Sequence, residues 1–237
     1  MVSRENISID LIYGVAERPD QQWEDELHTA IALPIQHLSC YALTVEENSL
    51  LYKQIQKGRH APADDEQAAR QYQILTEFLE SQASPPAFTG IRQYEVSNFC
   101  RPGFESRHNS AYWDHTPYLG LGPAAHSYDG HSRQWNPANL KQYGENVAAG
   151  VPYEEREELS PTDLYNETIL LSLRTRKGLN LAEIASLYGT ERVRETIRHF
   201  ETKVPSRWYE NAAGRLRLTA EGLWFADGIA ENLFIVD

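Results

Sequence analysis

A strand–helix–strand unit opens the chain, and it narrows the available folds more than any other feature. Residues 7–14, ISIDLIYG, form a run of Ile, Leu and Tyr closed by Gly, the pattern of a buried and parallel strand. RPDQQWEDELHTAIAL (18–33) follows, with Pro19 near its start and Trp23, Leu27, Ala30 and Ile31 at helical spacing. IQHLSCYAL (35–43) is the second strand. Such a unit makes a right-handed crossover between parallel strands. Two strands do not form a stable sheet alone, and nothing precedes the first one to pair with it. Side chains alternate across a strand, so Ile7, Ile9 and Leu11 share one face while Ser8, Asp10 and Ile12 share the other. A carboxylate is costly to bury without partners. Asp10 therefore faces a polar cavity or a ligand, or is a capped or salt-bridged structural residue.

The 237 residues are enough to bury one large core or two smaller ones. A hydrophobic fraction of 41% with 11% aromatics is that of a globular protein. No 18-residue apolar run and no signal-peptide core occurs, so the expectation is a cytoplasmic protein without an integral membrane segment. A net charge of −12 argues against nucleic-acid binding, which needs a basic surface. Cys40 and Cys100 lie far apart with no metal-ligand spacing, and two free thiols suit a reducing compartment. HExxH, GxGxxG and GxxxxGK[ST] are all absent.

Further along, 48–57 and 64–82 have helical patterns, broken by SPP at 84–86. QYEVSNF (93–99) alternates like a strand, and YLGLG (118–122) suggests another. SYDGHSRQW suggests a hairpin around Asp129-Gly130, and 137–150 a short helix ending at Gly150. YEEREELSP (153–161) has the texture of a charged linker. Beyond it come three helical patterns, a hairpin around 211–214 and a last helix over AEGLWFADGIAENLF. Three helices with a hairpin make a winged helix-turn-helix pattern. On its third helix, however, Arg192, Arg194 and Arg198 are interleaved with Glu191, Glu195 and Glu201, as on a solvated face.

Several motifs arrive in an order that resembles one family: ISIDLIYG, HLSCYALTVEEN, QYEVSNFCRPGFESRHNSAYW, YLGLGPAAHSY, RQWN and LSPTDLYNETILLSLRTRKG. Together they resemble the oxygen-independent coproporphyrinogen III oxidase-like proteins of the radical S-adenosylmethionine (SAM) superfamily, over their C-terminal two-thirds or so. HNSAYW (108–113) fits the HNxxYW pattern of that family's haem-chaperone branch. The resemblance implies an α/β fold: the C-terminal part of a partial (β/α)6 radical SAM barrel over residues 1–152, which also carry the HNxxYW and Gly-rich substrate side. A C-terminal winged-helix-like α+β domain over 153–237 then covers that side. The family holds a [4Fe–4S] cluster on a CxxxCxxC motif, which is absent here. The upstream half of the barrel is thus the implied missing partner, and the unpaired first strand implies a homodimer that covers the opened face.

The resemblance also implies roles for particular residues. Asp10, Ala42 and His126 match SAM-lining positions, against ordinary structural roles for each. His108, Tyr112 and Trp113 match a porphyrin or haem site, His108 as a haem ligand, against a capping and loop-anchoring role. Arg101, Arg107 and Arg133 are candidates for porphyrin propionates or for plain salt bridges. The implied function is that of a C-terminal portion of such a protein, in haem biosynthesis or trafficking. The other reading is a non-catalytic module that binds and delivers haem. Two cysteines cannot supply three thiolate ligands, so the chain is expected neither to assemble a cluster nor to cleave SAM after anaerobic reconstitution. Stoichiometric iron and sulfide in the reconstituted protein would contradict this.

Overall fold

The computed structural model describes residues 6–82, 90–151 and 155–236. The opening unit forms as its pattern requires: β1 (Ser8–Tyr13), α1 (Asp20–Ala32) and β2 (His37–Ala42), with β1 and β2 parallel and Asp10 beside Ser39. α2 (Leu50–Gln56) is capped by the Ser49 hydroxyl, and α3 (Asp65–Gln82) packs beside α1. The helix break expected at 84–86 lies outside the described residues. The single strand expected over 93–99 is instead a tight hairpin, β3 (Arg92–Gln93) and β4 (Asn98–Cys100). Its turn is held by the Glu95 carboxylate, which accepts from the Ser97 amide at 3.2 Å and from the Asn98 side chain. The sheet order is β1-β2-β4-β3, with β4 antiparallel to β2.

One face of this sheet is covered by α1 and α3. Trp23, Leu27, Tyr72, Leu75 and Leu79 pack there on Tyr13, Leu38, Cys40 and Phe99. Trp23 is fully buried, donates from Nε1 to the Gln71 carbonyl at 2.9 Å and lies against Tyr13. The opposite face is bare along β1, so the strand is half-open rather than buried on both sides.

α4 (Arg107–Trp113) carries HNSAYW. The expected hairpin forms from β5 (His126–Tyr128) and β6 (Ser132–Trp135), its turn held by Asp129 accepting from His131 and Ser132. YLGLG is not a strand; only Tyr118 bridges to Tyr128. Gly122 turns the chain at φ 109°, and a side chain at Gly120 would collide with the His126 carbonyl, so the glycines serve close approach to a strand. α5 (Leu140–Ala149) is capped by Asn139 and ends at Gly150. The expected linker instead contributes an exposed edge strand, β7 (Glu155–Glu158), to the order β5-β6-β7. Its charges suit an edge, which must resist further pairing.

α6 (Pro161–Leu173) begins with a capping box of Ser160 and Asp163. It is followed by β8 (Leu179–Asn180), α7 (Leu181–Tyr188), α8 (Thr190–Lys203), β9 (Tyr209–Ala212) and β10 (Arg215–Leu218), with sheet order β8-β10-β9. Gly178 enters β8 at φ 67°, where a side chain would strike the Leu216 carbonyl. The expected last helix is two short ones, α9 (Ala220–Leu223) and α10 (Ala226–Glu231). The break lets Trp224 lie on Tyr72 at 5.0 Å while Phe225 stacks on Trp208 at 4.1 Å. This part has its own core of Tyr165, Ile169, Leu173, Ile184, Phe200 and Leu216. No helix among the described residues is long and apolar enough to cross a membrane.

Trp23 joins β1, α1 and α3, so Trp23→Ala should lower stability by about 3–5 kcal/mol. Leu187→Ala, at a side chain 62% exposed, should stay within about 0.5 kcal/mol of wild type. Urea unfolding of the two variants measures both, and equal midpoints would contradict this account of the core.

Candidate functional site

The face of the first sheet turned away from α1 and α3 is a polar row. Ser8, Asp10 and Ile12 of β1 stand in register with His37, Ser39 and Tyr41 of β2, and Asn98 and Cys100 of β4 continue the row. Asp10 is exposed here, not buried, which removes the desolvation cost that made it an oddity in an apolar strand. Ala42 is exposed at the end of β2. His37 is buried; its Nδ1 meets Ser8 Oγ at 2.8 Å and its Nε2 meets the Tyr94 hydroxyl at 2.9 Å. Burial lowers the His37 pKa below its usual 6.5, only partly offset by Asp10, so the ring is neutral at neutral pH. The Tyr94 hydroxyl, pushed up to about 12 mainly by burial, also accepts from the Ser106 amide at 3.4 Å.

Ser106 is the N-cap of α4, its hydroxyl accepting from the Asn109 amide. A hydrogen-bonded chain Ser8–His37–Tyr94–Ser106 therefore runs from the polar row to the first turn of the HNSAYW helix. Neither His37 nor Tyr94 stood out in the sequence. The signal for His37 was the alternation of HLSCYAL, which puts His37, Ser39 and Tyr41 on the face of Asp10. Tyr94 had none, because its place depends on a turn hidden inside an apparent strand.

The helix divides the candidate haem residues between two faces. At 3.6 residues per turn, His108 and Tyr112 are roughly 40° apart, while Ser110 is about 200° from His108. His108 and Tyr112 are exposed and meet edge-on at 5.0 Å, with the Tyr112 hydroxyl 3.3 Å from His108 Nε2. Tyr112 continues the aromatic wall to Tyr118 at 4.8 Å, and Tyr118 to Tyr128 at 6.1 Å. Trp113 turns away with Ser110, beneath the Arg174 guanidinium at 5.4 Å, and helps line a cleft with Tyr94, Arg176 and Lys177. His126 is exposed and stacked on Trp135 at 5.7 Å, on the hairpin rather than in the polar row. Arg133 is paired with Glu167 at 2.9 Å and lies over Tyr128.

The residues present do not fit an iron–sulfur cluster. Cys40 and Cys100 are both buried on opposite faces of the sheet, burial raises both thiol pKa values, and no group of three metal-ligating side chains exists among the described residues. The polar row fits a hydroxyl-rich ligand better. Asp10 and Ser39 lie side by side, and the buried Asn98 Oδ1 beside them has no hydrogen-bond partner among the described residues. The exposed imidazole of His108 has the donor type and accessibility that would let it hold a haem iron.

Residues 159–225 match the family described as the HemN C-terminal domain. The heme chaperone HemW of Mycobacterium tuberculosis is 34% identical over 229 residues, covering 96% of this chain and 55% of that protein. The heme chaperone HemW of Bacillus subtilis is 36% identical over 186 residues, covering 78% of this chain and 47% of that one. The chain spans about half the length of the curated relatives it matches. A solved structure described as coproporphyrinogen III oxidase (HemN) from Escherichia coli, a radical SAM enzyme, superposes with a TM-score of 0.73 at 18% identity over 97% of this chain and 55% of that one. The sequence motifs, the fold and these matches agree that the chain belongs to the HemN- and HemW-type family of radical SAM proteins and corresponds to their C-terminal portion.

Proposed function

We propose that this chain is the haem-binding, C-terminal portion of a HemW-type haem chaperone, with the His108–Tyr112 face of α4 as its haem face. The observation that carries this reading is an exposed histidine set edge-on against tyrosines on a surface helix. Tyr112 holds Nε2 through a long 3.3 Å contact, which a metal can displace, and the aromatic wall gives a planar macrocycle something to lie against. In this reading the first sheet is the end of a partial barrel whose polar row, centred on Asp10, receives SAM once an upstream half supplies the cluster. The second core is a winged-helix-like module of the cytoplasmic protein. It packs on the barrel instead of reading nucleic acid: on α8, Arg192 and Arg194 are each paired with a neighbouring glutamate at 2.8 and 2.7 Å. The bare edge of β1 is where the upstream half, or a second copy of the chain, pairs. The other reading, a portion of a coproporphyrinogen III oxidase, draws on the fold match and on the HemN C-terminal domain match over 159–225.

Haemin titration followed at the Soret band tests the haem face. His108→Ala should weaken binding about tenfold or more, equal to about 1.4 kcal/mol, and change the Soret position. Identical spectra and affinity in the variant would refute iron ligation by His108.

The chain from Ser8 to Ser106 makes α4 sensitive to pH. His37 binds its proton less readily folded than unfolded, so the unfolded state takes up more protons as pH falls below 6.5, and stability drops over that range. Melting temperatures measured from pH 7.5 to 5 should fall less steeply in His37→Gln than in wild type. Parallel curves would show that His37 does not carry the dependence.

A further inference from the structure

The cleft on the other face of α4 is not used by the haem face and has a distinct chemistry. Tyr94, Glu105, Ser110, Trp113, Arg176 and Lys177 line a cavity of about 330 Å³. That volume lies near the lower end for small-molecule sites of roughly 300–1,000 Å³, too small for a whole macrocycle and sufficient for one side arm. Its cations are differently committed. Arg174, over Trp113, holds the Asp227 carboxylate. Arg176 has no carboxylate within ion-pair distance among the described residues, and its Nη1 makes only a 3.5 Å contact with the Leu218 carbonyl. Lys177 spends two donors on Asp114, at 2.7 and 2.8 Å, and has a third left.

The backbone of this segment is held in place. The Arg176 amide donates to the Tyr94 carbonyl at 3.0 Å and the Val96 amide to the Arg174 carbonyl at 3.0 Å. The Arg176 side chain therefore starts from a fixed backbone and helps line the cleft with Tyr94 and Trp113, and a guanidinium suits a planar carboxylate. On a chain with a net charge of −12, a polyanionic ligand is repelled by most of the surface and attracted to a guanidinium that no carboxylate among the described residues pairs with.

We propose that this cleft anchors a propionate arm of a tetrapyrrole, its carboxylate on Arg176 and Lys177 and its ring edge against Trp113, without iron ligation. The proposal rests on the tetrapyrrole part of the function proposed above but not on His108. It assigns the tryptophan of HNSAYW to a different contact from the histidine and tyrosine. Metal-free coproporphyrin III, which carries four propionates and no iron, is the probe. Its binding to the 237-residue chain is read by fluorescence anisotropy at low ionic strength, for wild type, Arg176→Gln, Lys177→Gln and the exposed charge control Arg198→Gln.

Saturable binding that weakens about tenfold in Arg176→Gln, less in Lys177→Gln and not in Arg198→Gln is the expected result. Absence of saturable binding, or equal losses in Arg176→Gln and Arg198→Gln, overturns the site. The two readings separate cleanly. Haemin ligated by His108 alongside unchanged coproporphyrin affinity in Arg176→Gln removes this site alone. Arg176-dependent coproporphyrin binding with no effect of His108→Ala on haemin supports the site and removes the haem-ligation reading.

Discussion

The β3–β4 turn is clasped by the segment that leaves α6, and much of the functional geometry hangs on that clasp. Two backbone hydrogen bonds, Arg176 to Tyr94 and Val96 to Arg174, with the bridge between Glu95 and Thr175, tie the first sheet to the second core. Glu95 is buried at the junction, its pKa raised by desolvation and restrained by the Asn98 and Ser97 hydrogen bonds and by Arg174. Because the turn is pinned from both sides, Tyr94 is fixed with its hydroxyl toward His37 and its ring toward the cleft. Without the clasp, the polar row and the α4 helix would have no common frame.

The same frame explains how one short helix can present two chemistries. α4 has seven residues and no fully buried one, so its own packing does not orient it. Its start is set by Tyr94 through the Ser106 cap, and its end by Arg174 over Trp113 and by Lys177 on Asp114. Helical geometry then separates His108 and Tyr112 from Ser110 and Trp113. The aromatic contacts from Tyr112 through Tyr118 to Tyr128 extend the first face onto the β5–β6–β7 sheet. Surface ion pairs such as those on α8 contribute little to holding any of this. Buried aromatic contacts and backbone pairing across elements hold it.

Much of this protein was legible in its sequence, and for local reasons. Alternation and helical spacing set the β1–α1–β2 unit and the polarity of its two faces; Gly150 marked a helix end; Asp129-Gly130 marked a hairpin. Each of these depends on side chains within a few residues of one another. The order of the motifs was enough for the family, since it needs no geometry at all. Tertiary structure alone decided the rest. QYEVSNF alternates like a strand but became a hairpin with Glu95 buried at its turn against Thr175, and EREE became a strand only because β6 offered an edge. Helical spacing pairs His108 with Tyr112 on one face of HNSAYW, but what each face meets depended on how α4 is docked. Arg176, ordinary in sequence, became the one to watch because chain segments about eighty residues apart bring it beside Tyr94 while leaving it without a carboxylate. Such placements are set by long-range packing, which local pattern does not encode.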